Sequence, residues 1–240
     1  DLFSAMTKLR FLQLAVVLMC GLFAGQTVAA QTRHAAKPVV SILGDSYSTF
    51  EGYIPVGNAV WYDMRPNPKK TDVSDVKHTW WWQFISRGGY ILGINDSYSG
   101  ATVSYTGYNG ADYSDRSFIT RLPRLGSPDI LLIFGATNDS WAGVTVGEYS
   151  YAEPLSGPQL YEFRPAMARL LSEAVNRYPG TEIYFIINSE LRDDITQSIR
   201  EVCDHYSVRY IQLHDIDKIS GHPSRAGMTA IADQLLEAMQ

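Results

Sequence analysis

Five short apolar runs, alternating with helix-like stretches and long connections, constrain this chain more than any other feature. They occupy residues 39–43, 90–94, 130–134, 183–187 and 208–213. The third is the clearest: Pro128-Asp129 leads into Ile130-Leu131-Leu132-Ile133-Phe134, and Gly135 ends it. Continuous Ile, Leu and Val without polar alternation predict strands covered on both faces. Between the runs lie amphipathic segments. Residues 159–178 carry Leu160, Phe163, Met167, Leu170, Leu171 and Val175 at helical spacing, with Pro165 expected in the true first turn. Residues 193–206 place Ile195, Ile199, Val202 and Cys203 on one face, and Asp193 and Asp194 suit the positive end of a helix. Residues 223–239 carry Met228, Ile231, Leu235 and Leu236, with Pro223 expected in the first turn. Strand–helix alternation predicts a parallel sheet with helices on both sides. In such sheets a site forms at the carboxyl ends of the strands, in the loops opening at Gly44, Asn95, Gly135, Asn188 and His214. Two long connections, 50–76 and 101–127, lack periodicity, and long loops of this kind are often functional.

Composition narrows the partners. The 240 residues carry a formal net charge of −5 and no basic block, which argues against nucleic acid. Lys8 and Arg10, the apolar stretch 11–24 and Val28-Ala29-Ala30 form the pattern of a cleaved export signal. The expected organisation is therefore a signal over 1–30 and one domain over 31–240, exported to the periplasm or medium. No stable membrane insertion is expected once the signal is removed. Cys20 and Cys203 are the only cysteines, so the mature domain has no internal disulfide. No Cys/His cluster has zinc-ligand spacing, and neither a metal nor an organic cofactor is expected.

Three loops carry candidate chemistry. Gly44-Asp45-Ser46 follows the first run, and a tight turn there can expose the Ser46 hydroxyl. Gly135-Ala136-Thr137-Asn138-Asp139 follows the third, where the Asn138 amide can face developing negative charge. His222, in Ser220-Gly221-His222-Pro223-Ser224, precedes the last helix, and a neutral imidazole there can accept and return a proton. Each motif alone is equally readable as a turn, a cap or a surface histidine.

Together, and in this order, the loops resemble the blocks of the SGNH hydrolases, an esterase and lipase family. The resemblance runs from Val39 to Met239 and includes Asn95-Asp96-Ser97-Tyr98-Ser99-Gly100-Ala101-Thr102 as a further block. It implies a flavodoxin-like three-layer α/β/α sandwich with a five-stranded parallel sheet. It also implies Ser46 as nucleophile and His222 as base, with an oxyanion site made by the Ser46 and Gly100 amides and the Asn138 side chain. Ser97, which also follows an Asp after a strand, is the rival nucleophile. The expected reaction is hydrolysis of a carboxylic ester through an acyl-serine, on a small-molecule or carbohydrate ester such as an O-acetylated sugar.

One position departs from the pattern. The family usually has an Asp three residues before the base histidine, and here that residue is Ile219. Asp217, a backbone carbonyl or Glu190 can each be placed to orient His222 instead. Asp217 is carried forward as the third catalytic residue. The departure also keeps open a weak or inactive carbohydrate-binding protein on this scaffold, and a lipase is a third reading. Trp61, Tyr62 and Trp141 are the expected substrate contacts, whereas Trp80-Trp81-Trp82 is expected to pack in the core. Oligomeric state is not legible.

Overall fold

The five apolar runs become β1 (Val39–Gly44), β2 (Ile91–Ser97), β3 (Ile130–Gly135), β4 (Glu182–Ile187) and β5 (Arg209–Gln212). The computed structural model describes residues 36–65, 67–152 and 155–240, so the expected export signal lies outside the described residues. The strands form one parallel sheet in the order β2-β1-β3-β4-β5. This is the flavodoxin-like order. The helices are α1 (Trp80–Gly88), α2 (Phe118–Arg121), α3 (Thr137–Trp141), α4 (Phe163–Arg177), α5 (Asp193–His205) and α6 (Arg225–Ala238).

Side-chain alternation along the strands builds two cores. Leu131, Ile133, Phe185 and Ile187 face one side, where Met167, Leu170 and Leu171 of α4 and Ile195, Ile199 and Val202 of α5 cover them. Leu132, Phe134, Tyr184 and Ile186 face the other, against Trp80, Trp81 and Phe84 of α1 and Met228, Ile231 and Leu235 of α6. The result is the expected three-layer α/β/α sandwich. Trp80 and Trp81 are buried, in keeping with the core reading of that run. Pro165 sits in the first turn of α4, as its missing N–H requires.

Two expectations are corrected. Burial on both faces holds for β1, β3 and β4 but not for the sheet's edges: Ile91 and Ile94 of β2 and Tyr210 of β5 are exposed. Pro223 is not in the last helix. It belongs to a two-residue hairpin of β6 (Lys218–Ile219) and β7 (His222–Pro223), and Ser224 caps α6 by accepting the Gly227 N–H at 3.2 Å.

The chain leaves β1 for β2 on one side and returns to β3 on the other. The sheet therefore has its switch point between β1 and β3, where a crevice opens beyond the strand ends.

Candidate active site

Ser46 and Asn138 follow the two strands that flank this switch point. After Gly44 the chain turns sharply through a single 3₁₀ turn, Ser46–Ser48, with the Asp45 carboxylate accepting the Tyr47 N–H at 3.0 Å. A side chain on Gly44 would overlap Ser48 and Ser97, so only glycine fits there. After β3, Gly135 lies against the Phe118 ring, and Ala136 takes φ 70° to turn the chain into α3. That strained residue delivers Asn138 to the crevice.

His222 arrives from the far end of the sequence. Ser220 and Gly221 have φ values of 51° and 75° between the paired residues Ile219 and His222. Two central residues at positive φ make the tight two-residue hairpin loop favoured by strand twist. The Tyr47 hydroxyl donates to the Gly221 carbonyl at 2.6 Å, and the Tyr62 hydroxyl donates to the Pro223 carbonyl at 2.9 Å. These bonds tie the hairpin to the Ser46 turn and to the 50–76 connection.

The two groups meet: His222 Nε2 lies 2.8 Å from Ser46 Oγ. His222 Nδ1 lies 3.1 Å from the Ser220 carbonyl. A carbonyl only accepts, so Nδ1 carries the proton and Nε2 is left with a lone pair for the serine hydroxyl. Burial pushes the imidazole pKa down from 6.5 to about 4; the carbonyl bond opposes this, and Lys70 and Lys218 add to it. His222 is thus a neutral acceptor across the whole neutral range.

The Asp217 expectation is corrected by this geometry. The Ser224 hydroxyl donates to the Asp217 carboxylate, which holds the cap of α6 and does not orient the ring. Glu190 is also turned away, paired with Lys218 at 2.8 Å. The backbone carbonyl is the partner that the hairpin supplies.

Ser97 is excluded by its surroundings. It is fully buried, and its hydroxyl donates to Asn95 Oδ1 at 2.6 Å.

Of the expected oxyanion donors, Asn138 follows β3 and Gly100 follows β2 in the chain. Asn138 Nδ2 donates to the Ala101 carbonyl at 2.9 Å, while its Oδ1 accepts the Tyr108 hydroxyl at 2.8 Å. These two bonds set the plane of the amide and leave its second N–H to project elsewhere. Gly100, at φ 85°, turns the 98–101 segment, which is fastened by Tyr98 N–H to the Gly44 carbonyl at 3.1 Å. Among the described residues, the Ser46 and Gly100 amides donate to no protein group. The next residue to Asn138, buried Asp139, accepts the Val103 and Ser104 N–H groups at 2.8 and 3.0 Å and so holds that loop against α3.

The aromatic expectations divide. Trp61 lies face-on to His222, with ring centroids 3.5 Å apart and planes 9° apart. Trp141 stands edge-on at 5.7 Å and is 45% exposed, so it lines the entrance. Tyr62 is corrected: it is fully buried, and its hydroxyl is spent on Pro223, so it supports the hairpin rather than facing the crevice. Sequence reasoning missed Tyr47 and Tyr108. Both are ordinary tyrosines in sequence, although Tyr108 does fall in the aperiodic 101–127 connection.

The comparisons agree with this architecture. The sequence model of a family described as GDSL-like lipase/acylhydrolase matches residues 38–239. A candidate GDSL-like lipase from Bacteroides ovatus is 54% identical, covering 85% of this chain and 98% of its own, with a TM-score of 0.83. One from Bacteroides uniformis is 52% identical over 84% of this chain and 95% of its own, with a TM-score of 0.81. A carbohydrate acetylesterase from Sinorhizobium meliloti shares the fold at 17% identity, over 85% of this chain and 98% of its own, with a TM-score of 0.56. No curated protein matches.

Proposed function

The chain belongs to the GDSL-like lipase/acylhydrolase family and is an ester-hydrolysing enzyme; from that premise we propose that it acts through a Ser46–His222 dyad completed by the Ser220 carbonyl. The 2.8 Å contact between His222 Nε2 and Ser46 Oγ carries this reading. In the proposed reaction His222 takes the hydroxyl proton as Ser46 attacks the ester carbonyl, forming a tetrahedral oxyanion. The Ser46 amide, the Gly100 amide and the Asn138 side chain receive that charge. His222 then protonates the departing alcohol, and the acyl group stays on Ser46. Water then gives a proton to His222 and attacks the acyl carbon; the bond to Ser46 Oγ breaks, the acid leaves, and His222 returns the proton to Ser46.

The substrate we propose is a short acyl ester on a carbohydrate alcohol. Trp141 presents exposed aromatic surface beside His222, and sugar rings pack on such surface. A second reading has its own support: Tyr53, Val56, Val60 and Met64 are exposed on the segment that carries Trp61, which favours a longer acyl chain. Among the described residues no helix is long and apolar enough to cross a membrane. We also propose export, on the signal-like pattern of residues 1–30.

The test is hydrolysis of esters of graded acyl length by the wild type and by Ser46→Ala. Turnover of acetyl esters that is lost in the variant supports the reading. Turnover that rises with acyl length favours the second reading. Carbohydrate binding with no Ser46-dependent turnover would overturn both.

A further inference from the structure

The environment of His222 is unusual for a base that must become a cation. Among the described residues no carboxylate touches the imidazole. Its neighbours are the Ser220 carbonyl, the Ser46 hydroxyl and four rings: Trp61 at 3.5 Å, Tyr47 at 5.3 Å, Trp141 at 5.7 Å and Tyr62 at 6.4 Å. The titratable groups on the elements packed around it are the Tyr47 and Tyr62 phenols, the Lys70 and Lys218 cations, and the carboxyls of Asp45, Asp217 and Glu190, of which Asp45 accepts the Tyr47 N–H. Burial pushes the Tyr47 and Tyr62 phenols well up, so both stay neutral. Lys70 and Lys218 oppose a positive ring. Lys218 is offset by Glu190, and Asp217 is engaged with Ser224. One carbonyl at 3.1 Å therefore has to carry an imidazolium in a place that burial makes hostile to charge.

Trp61 is built to help. Its plane is nearly parallel to the imidazole, and the negative face of an indole is the strongest aromatic partner for a cation. Its backbone N–H donates to Thr49 Oγ1 at 2.9 Å, and Thr49 Oγ1 donates to the Ser46 carbonyl at 3.0 Å. The Lys70 ammonium donates to the Trp61 carbonyl and lies 4.7 Å from its ring centroid. The Trp61 backbone is thus pinned to the same turn that carries Ser46, and its indole is stacked on His222.

We infer that Trp61 is a positioning residue whose π face stabilises protonated His222 during turnover, in the role that a carboxylate fills in a serine–histidine–acid triad. This rests on the dyad reading above. It differs from Trp61 as a platform for substrate, which would act on substrate affinity and leave the histidine unchanged.

Two variants separate the possibilities. Trp61→Leu keeps apolar cover and removes the π face, and Trp61→Phe keeps a ring. Two readouts are taken: kcat and KM on a short-chain ester, and the His222 pKa followed by NMR through its Cε1–H resonance. The NMR titration needs no turnover. With Trp61→Leu, kcat is expected to fall about tenfold and the His222 pKa to move down by about one pH unit, the size of one desolvated cation–π contact. KM is expected to stay near wild type, and Trp61→Phe to recover most of both effects. An unchanged His222 pKa in Trp61→Leu, with the loss confined to KM, would overturn the inference. So would equal impairment of the Phe and Leu variants. If the wild type hydrolyses no ester, the dyad reading fails, and the titration still decides whether Trp61 supports the imidazolium.

Discussion

At the scale of single residues, the proposed site depends on one histidine kept neutral and one amide kept aligned. Because burial holds His222 at about 4, below its ordinary 6.5, the neutral form required of a base persists into acid. The acid limb of kcat/KM is therefore expected near pH 4, and a pH–rate profile checks it; a limb near the ordinary histidine value would show that solvent reaches the ring. Tyr108 touches Asn138 Oδ1 and is held protonated, its pKa pushed up to about 12 mainly by burial. Tyr108→Phe removes one orienting hydrogen bond, worth roughly 1 kcal/mol. The expected result is about a fivefold loss in kcat with KM little changed, measured by steady-state kinetics. Of the proposed site, Ser46, Asn138 and His222 could be named from sequence because each sits in a short motif beside a strand or helix. Tyr47 and Tyr108 could not, and Tyr62 was named for a different role, since a tyrosine's role lies in where its hydroxyl reaches, across 174 residues of sequence separation for Tyr47 and Gly221.

At the scale of elements, the proposed dyad gives the β6–β7 hairpin the task of the missing acid. Position 219 can be an isoleucine because the turn at Ser220-Gly221 aims a carbonyl at Nδ1. Asp217 serves the neighbouring helix cap instead. Asp217→Asn is accordingly expected to keep kcat close to wild type, whereas loss of a triad aspartate costs on the order of 10⁴-fold. A thermal melt of the same variant should show a lower Tm, since the Ser224 cap loses its charged acceptor. The hairpin escaped sequence reasoning because two-residue strands have no periodicity, and Pro223 read as a helix start. Its one local signal was Ser-Gly, a permitted pair for a tight turn. The central strands β1, β3 and β4 were legible because their nearly continuous apolar runs need cover on both faces of a sheet. Edge exposure at β2 and β5 was not, because the order of strands follows from packing between distant segments.

At the scale of the whole molecule, buried charge gathers beneath the crevice. Asp45 is fully buried, with its Oδ1 on the Tyr47 N–H and no partner for Oδ2 among the described residues. Burial pushes its carboxyl from 3.8 up to about 7, against the pull of Arg121. A folded pKa above the unfolded one means that the folded state holds the proton more tightly. Stability from this group is therefore full below 3.8 and declines as pH rises towards 7. His222 acts with the opposite sign, losing stability as pH falls from 6.5 towards about 4. Asp45→Asn cannot ionise, so its Tm relative to wild type is expected to improve across the interval from 3.8 to about 7; differential scanning calorimetry at several pH values checks this. The dyad itself is tested most directly by mass spectrometry of the protein after reaction with a fluorophosphonate, which labels activated serines. One adduct located on Ser46, absent in His222→Ala and in Ser46→Ala, is the expected result. An adduct on Ser97, or one on Ser46 that forms equally fast without His222, would contradict the assignment.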